Sequence, residues 1–196
     1  MHTLARFISN TLHPIVLPVV TYWAVLFLGF ENLEGRYLYL FIAFLICTVA
    51  PSAVVIALMK SGKVSDYDIS DRKNRTIPLI IGIAVYVLGF FVLKALGAPL
   101  IASSFMICYA VNTLVIMFIT FVWKISVHVT SLCGPIAALY VTFGTPMLLL
   151  LLLVPPLMWS RIVLKAHTPM QTIAGAALGF FFTLIELRLL LGQPMF

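Results

Sequence analysis

The sequence is short of charge. Only 9% of its 196 residues are Asp, Glu, Lys or Arg, where a soluble domain carries about a quarter. A chain this poor in polar groups cannot cover a water-exposed surface, which excludes a soluble globular enzyme. With 63% hydrophobic residues it is not a disordered chain either. Cysteine is scarce too: Cys47, Cys108 and Cys133 are far apart, each inside an apolar run, so they are small core residues and not a disulfide framework. Repeats, low-complexity tracts and linkers are missing, which leaves one domain spanning 1–196. The apolar segments are continuous and do not alternate, which argues against a β-barrel. Basic residues lie in short stretches between these segments and form no patch-bearing domain, so nucleic acid is not an expected partner.

What is present is a succession of long apolar runs, and the expected fold class is an all-α polytopic membrane helical bundle of six to seven transmembrane helices. The expected spans are Pro14–Phe30, Tyr37–Met59, Ile77–Leu96, Leu100–Val122, Val129–Phe143, Met147–Trp159 and Pro169–Leu191. The turn signal Gly144-Thr145-Pro146 divides what would otherwise be one over-long run. The two halves are each about 20 Å long, short for a ~30 Å hydrocarbon core, and suit helices that end in a protein-lined cavity. No small-residue cleavage site precedes the first run, so that helix serves as its own insertion signal. The expected location is a bacterial inner (plasma) membrane.

Counting helices places the polar loops. The stretches rich in chemistry, Lys60–Arg75, Lys124–His128 and Arg161–His167, follow the second, fourth and sixth apolar helices, so they share one membrane face. The loops on the other face are short and plain. The motif face carries Arg6, Lys60, Lys63, Arg72, Lys73, Arg75, Lys124, Arg161 and Lys165, against Arg36, Lys94 and Arg188 opposite. The positive-inside rule makes the motif face cytoplasmic, although a phosphate site would gather cations on its own face in any orientation.

His128 and His167 sit at helix boundaries on that face, near Lys124 and Arg161. His2 and His13, close to the N-terminus, suit an interfacial place. Ionisable groups at membrane depth are costly and tend to be functional. The chemistry that fits is phosphoryl transfer to histidine: one imidazole attacks phosphorus, a second protonates the leaving alkoxide, and guanidinium groups hold the non-bridging oxygens. Arg72, Arg75 and Arg161 can supply that charge, with Lys124 as a further cation, and no metal cofactor is called for.

These residues resemble a family. Ser160-Arg161 followed by His167 fits the SRxxxxxH motif of the type 2 phosphatidic acid phosphatase superfamily, the membrane lipid phosphatases. Lys124-Ile125-Ser126-Val127-His128 is similar to the KISxH form of its second motif. Asp71-Arg72-Lys73-Asn74-Arg75-Thr76-Ile77-Pro78 resembles the DRxxRxxP variant of its first. The resemblance runs from about Asp66 to Gly179. It implies His167 as nucleophile, His128 as general acid, and Arg161, Arg72, Arg75, Lys124 and Ser126 as phosphate-binding residues. The family has Asp four residues after the nucleophile and this chain has Gln171. Its carbonyl oxygen can accept from the imidazole N–H and fix the tautomer without supplying negative charge. The implied partner is a lipid phosphate, either phosphatidate-like or a polyprenyl phosphate, drawn from the surrounding membrane lipids.

Two other readings remain open here. Asp66, Asp68 and Asp71 also resemble the aspartate-rich motif of Mg²⁺-dependent intramembrane prenyltransferases, although no second aspartate cluster exists. The same basic site would also serve a non-catalytic lipid-phosphate binder or transporter. Lesser features are structural: Gly175 and Gly179 make a small-residue face for packing within the chain or for a homodimer. Trp23, Trp123 and Trp159 suit membrane-interface anchoring. Glu186 and Arg188 suit an interfacial or locally paired place.

Overall fold

The computed structural model describes every residue except Ser65, Asp68, Ser70, Met195 and Phe196. The described residues are helical and contain no strand. In chain order the helices are α1 (His2–Thr11), α2 (Leu17–Leu28), α3 (Arg36–Lys60), α4 (Arg72–Ala95), α5 (Leu100–Val122), α6 (Val127–Phe143), α7 (Thr145–Val163) and α8 (Pro169–Leu190). Among the described residues, the five helices α3, α4, α5, α7 and α8 are long and apolar enough to cross a membrane, while α2 and α6 are apolar but shorter. Their outer faces carry large exposed apolar side chains such as Ile80, Phe91, Leu149 and Leu152, as lipid-facing helices do.

Helix bounds depart from the sequence expectation in instructive ways. The N-terminal stretch is not extended: it forms α1, whose Ala5 and Ser9 face inward and pack on α7. The first apolar helix begins at Leu17, behind a turn in which the His13 carbonyl accepts from Val16 N–H. The third span begins earlier than Ile77. Asp71 accepts from Lys73 N–H at 3.0 Å and caps a 3-10 turn, Arg72–Arg75, which continues into α4. Thus Arg72 and Arg75 belong to a helix start. Downstream of Gly144, which takes φ +80° to make the turn, α7 opens as a 3-10 stretch over Thr145–Leu153 and becomes α-helical at Val154–Val163. Arg161 therefore sits on a helix, where a polar loop was expected.

The central element is α6. Most of its residues from His128 to Ala138 are buried, on all sides. Protein surrounds it, so its 17 residues need not match the bilayer thickness. In lipid, apolar burial does not drive helices together, and close packing of small residues does more of that work. Accordingly α8 meets α6 through glycine. A Cβ at Gly175 would lie 2.7 Å from the Ser126 carbonyl oxygen, and one at Gly179 would collide with the Thr130 carbonyl. The small-residue face is thus used inside the chain, against α6. A π turn at Leu178–Phe182 accompanies the close approach. Glu186 and Arg188 bond to other helices, where an interfacial or locally paired place was expected: Asn112 of α5 donates to Glu186 at 3.2 Å, and Arg188 reaches the Tyr140 hydroxyl of α6 at 3.5 Å.

Candidate functional site

The site is assembled where the starts of α4, α6 and α8 meet the end of α7. The end of α7 explains the spacing between Arg161 and His167. The helix closes in a Schellman arrangement: Lys165 N–H donates to the Ile162 carbonyl at 2.9 Å and Ala166 N–H to the Arg161 carbonyl at 3.0 Å. Lys165 occupies the left-handed position at φ +54°. His167 N–H also donates to the Arg161 carbonyl, at 3.3 Å. One turn of chain therefore folds the histidine back over the arginine that opens the motif.

Thr168 then caps α8 in a reciprocal capping box with Gln171. Gln171 N–H donates to Thr168 Oγ1 at 3.4 Å, and Thr168 N–H donates to Gln171 Oε1 at 3.1 Å. The same Oε1 lies 3.1 Å from His167 Nδ1. A backbone N–H can only donate, so the cap fixes which end of the amide is oxygen. An oxygen facing Nδ1 in turn requires that Nδ1 carry the proton. The Nε2 lone pair of His167 is left unprotonated and is the nucleophilic nitrogen of the ring.

Burial lowers the His167 pKa to about 4. The Lys124, Arg161 and Arg75 charges push the same way, and the Gln171 hydrogen bond opposes them. The imidazole is neutral at neutral pH. Lys124 is also held below its ordinary value, by burial first and then by Arg75 and Arg161, with Asp66 and Asp71 opposing. These mutual shifts describe a knot of positive charge around His167.

Arg161 is buried and doubly engaged. Its Nη1 donates to Ser9 Oγ at 2.6 Å and lies 3.4 Å from His128 Nε2. The neighbouring Ser160 hydroxyl donates to the Ala5 carbonyl at 2.6 Å. The Ser-Arg pair thus fastens α1 across the site. Arg75 is buried; its Nε donates to the Ile69 carbonyl at 2.8 Å and its Nη1 to the Ile125 carbonyl at 3.5 Å. Ile69 is itself left-handed, at φ +47°. Ser126 N–H donates to the Gln171 carbonyl at 3.2 Å, tying the second motif to the third. The buried Ser126 Oγ has no partner among the described residues.

Arg72 is placed differently. Its Nη1 caps the last carbonyls of α5, those of Thr120 and Phe121, at 3.5 and 3.3 Å, an end-of-helix task. Of the aspartates, Asp66 and Asp71 contribute charge near Lys124, while Asp68 lies outside the described residues. No group of three or more His, Cys, Asp or Glu able to hold a metal occurs among the described residues.

Three participants escape a sequence reading. Ser9 holds Arg161. The His13 ring stands edge-on to His128, with centroids 5.0 Å apart, and its Nδ1 accepts from Ile15 N–H at 3.3 Å. Tyr67 packs against His13 at 5.7 Å and donates to Ser52 Oγ at 2.9 Å. The one signal in the sequence for Ser9 is its four-residue spacing from Ala5, one face of α1; His13 lies beyond the end of that helix.

His13, Tyr67, Arg75 and His128 surround the mouth of a large cavity between α3, α4, α5 and α6. It contains about 1370 Å³ of unfilled space, counting its open mouth. Its walls are mainly apolar, including Val54, Val55, Leu79, Val85 and Ile116. No protein-family model, no curated protein and no solved structure matches this chain.

Proposed function

We propose that the protein is an integral membrane phosphohydrolase that releases phosphate from a lipid phosphate or diphosphate through a phosphohistidine intermediate. In this reading the shorter helices α2 and α6 complete a seven-span bundle with the five long ones. The observation that carries the proposal is the state of His167. A neutral, buried imidazole has its proton directed to Nδ1 by Gln171, inside a cluster of Lys124, Arg75 and Arg161. Such a ring is prepared for in-line attack on an anionic phosphorus that the cations attract.

The chemistry balances without another reactant than water. A phosphate monoester docks on Arg161, Arg75 and Lys124, and Ser126 Oγ donates to one of its oxygens. Arg161 turns from His128 onto the phosphate, and His128 Nε2 takes up a proton from solvent. His167 Nε2 attacks phosphorus, the P–O ester bond breaks, and His128 gives its proton to the leaving alkoxide. His128, now neutral, takes a proton from an attacking water. The P–N bond breaks, and inorganic phosphate leaves His167 as it began. Gln171 holds the imidazolium in place but adds no negative charge, so each turnover is slower than a carboxylate at that position would allow.

The test is a phosphate-release panel in detergent: phosphatidate, phosphatidylglycerol phosphate, and polyprenyl mono- and diphosphates, each with and without a chelator. Release that survives chelation is expected, because guanidinium and ammonium groups supply the positive charge. Turnover lost on chelation, restored by Mg²⁺ and abolished by Asp71→Asn, would transfer the assignment to metal-dependent prenyl transfer. Tight binding without release would leave a lipid-phosphate binder.

A further inference from the structure

The cavity beneath the site meets packed side chains at its inner end, and its depth follows from helix geometry. Along α4 its wall runs from Arg75 to Tyr86, and along α5 from Ile116 up to Phe105. Each stretch measures about 16 Å at 1.5 Å per residue. The α4 stretch sets the depth from Arg75 to the facing pair Tyr86 and Tyr109, about half of a ~30 Å hydrocarbon core, or one leaflet. At the inner end the rings of Tyr86, Tyr109 and Phe105 form a connected plug, with centroids 5.5 and 4.6 Å apart. Behind the plug the bundle is solid: Tyr22, Leu26, Leu93 and Met106 are at most 1% exposed. Polar atoms gather along this wall, where Asn112 donates to Thr183 Oγ1 at 3.0 Å, while among the described residues its own Oδ1 and the Tyr109 hydroxyl have no partner.

We propose that this cavity is a length-gauging slot for the hydrocarbon chain of the substrate, and that it selects acyl-length lipid phosphates over long polyprenyl phosphates. The inference rests on the phosphohydrolase reading for its mouth, where Arg75 holds the phosphate end and His128 faces the leaving oxygen. An all-trans chain advances about 1.2 Å per bond, so the straight depth accommodates about 13 carbons. A polyprenyl chain several times longer cannot be seated in a slot one leaflet deep. The wall also offers a place to shorten it. Gly82 lines the cavity about 10 Å from Arg75 along α4, and a Cβ there would meet only the Tyr86 ring edge, at 3.8 Å. An aromatic side chain at Gly82 would therefore project into the slot with little disturbance of the helix.

The experiment measures kcat/KM for single-chain alkyl phosphates from 8 to 18 carbons and for a long polyprenyl phosphate, using the full-length protein and its Gly82→Phe and Phe105→Ala variants. For wild type the slot predicts a rise of up to about fourfold per carbon, carried by KM, up to about 13 carbons and no gain beyond. Gly82→Phe should move the break to about 8 carbons and Phe105→Ala should move it to longer chains, so either variant suffices if the other fails to fold. A curve that keeps rising through 18 carbons to the polyprenyl phosphate, or one that neither variant changes, overturns the proposal. Thermal stabilisation by non-hydrolysable alkyl phosphonates of the same lengths separates this inference from the reading it rests on. If no phosphate is released from any substrate but stabilisation breaks at the same length, the hydrolase reading falls and the slot stands. Stabilisation independent of chain length sinks the slot.

Discussion

Gln171 Oε1 receives the His167 Nδ1 proton at 3.1 Å, and the same oxygen caps the first turn of α8 by accepting from Thr168 N–H. One side chain thus sets a helix start and an imidazole tautomer together. Because the cap holds the oxygen in place, the ring cannot turn without losing its hydrogen bond to that oxygen. This coupling gives the imidazole one tautomer and one orientation even though its partner is neutral.

Replacing that partner separates orientation from charge. Gln171→Ala should lose both the cap and the tautomer, lowering phosphate release by about 10²-fold or more and destabilising the start of α8 by about 1 kcal/mol. Gln171→Asp, with the shorter side chain reaching the ring, should keep or raise the rate, since a carboxylate stabilises the imidazolium. The rates come from phosphate release by the purified variants and the stability change from thermal melts. A Gln171→Ala protein as fast as wild type would show that the contact has no catalytic part.

Acid titration reports the burial of His167. With its pKa near 4, kcat/KM should hold its plateau as pH falls to about 5 and decline near 4. Lys124→Gln removes one of the charges that depress this value and should move the limb upward in pH. Stability follows the same group. The folded pKa lies below the ordinary 6.5, so the unfolded chain takes up the proton first. His167 therefore contributes its full share above pH 6.5, and that share is lost as pH falls from 6.5 towards 4. A limb centred at 6.5 in wild type and unmoved in Lys124→Gln would contradict the cation cluster.

The hydrogen bond from Arg161 to Ser9 gives α1 a role at the site. Ser9→Ala should leave Arg161 less well aimed and slow turnover by about 3- to 10-fold with KM raised, while Arg161→Lys should cost about 10²-fold, because a single ammonium cannot grip two phosphate oxygens. Steady-state kinetics on one lipid phosphate resolves both. Equal, small effects from the two would mean Arg161 is a packing residue.

Lys165 carries a conformational cost. A non-glycine residue in the left-handed region loses about 1–2 kcal/mol, and here it does so to bring His167 over Arg161. Lys165→Gly should raise the melting temperature by a few degrees at unchanged phosphate release. A fall in both would show that the lysine side chain is needed itself.

How far the sequence reached is clearest at the two histidines. Hydropathy and helix counting were enough to expect Arg75, Lys124, Arg161 and His167 in one neighbourhood, because alternate loops of a helical bundle share a face, and the charges here act on one another as that expects. The acceptor role of Gln171 towards His167 followed from its one-turn spacing, whereas its part in a capping box with Thr168 emerges only in the structure. Ser9 and His13 were hidden for a physical reason. α1 is short and amphipathic and carries no long apolar run, and its partners lie more than a hundred residues away, so no local pattern announces them. The placing of Arg72 was equally unreadable: two arginines three apart look alike until the end of α5 claims one of them. The 3-10 stretch in α7 has no such account; Thr145–Leu153 is rich in leucine, a good α-helix former.

The measurement that bears most directly on the central claim is capture of the covalent intermediate. His128→Ala removes the acid for the first step and the base for the second. A diphosphate substrate, whose leaving group needs little protonation, should still phosphorylate His167 in this variant and then stall. Alkaline quenching and peptide mapping should place one phosphoryl group on the peptide containing His167, and none in the His128→Ala/His167→Ala double variant. Turnover of the wild-type protein with no phosphoryl group captured on His167 in the His128→Ala variant, or capture on another residue, would contradict the mechanism.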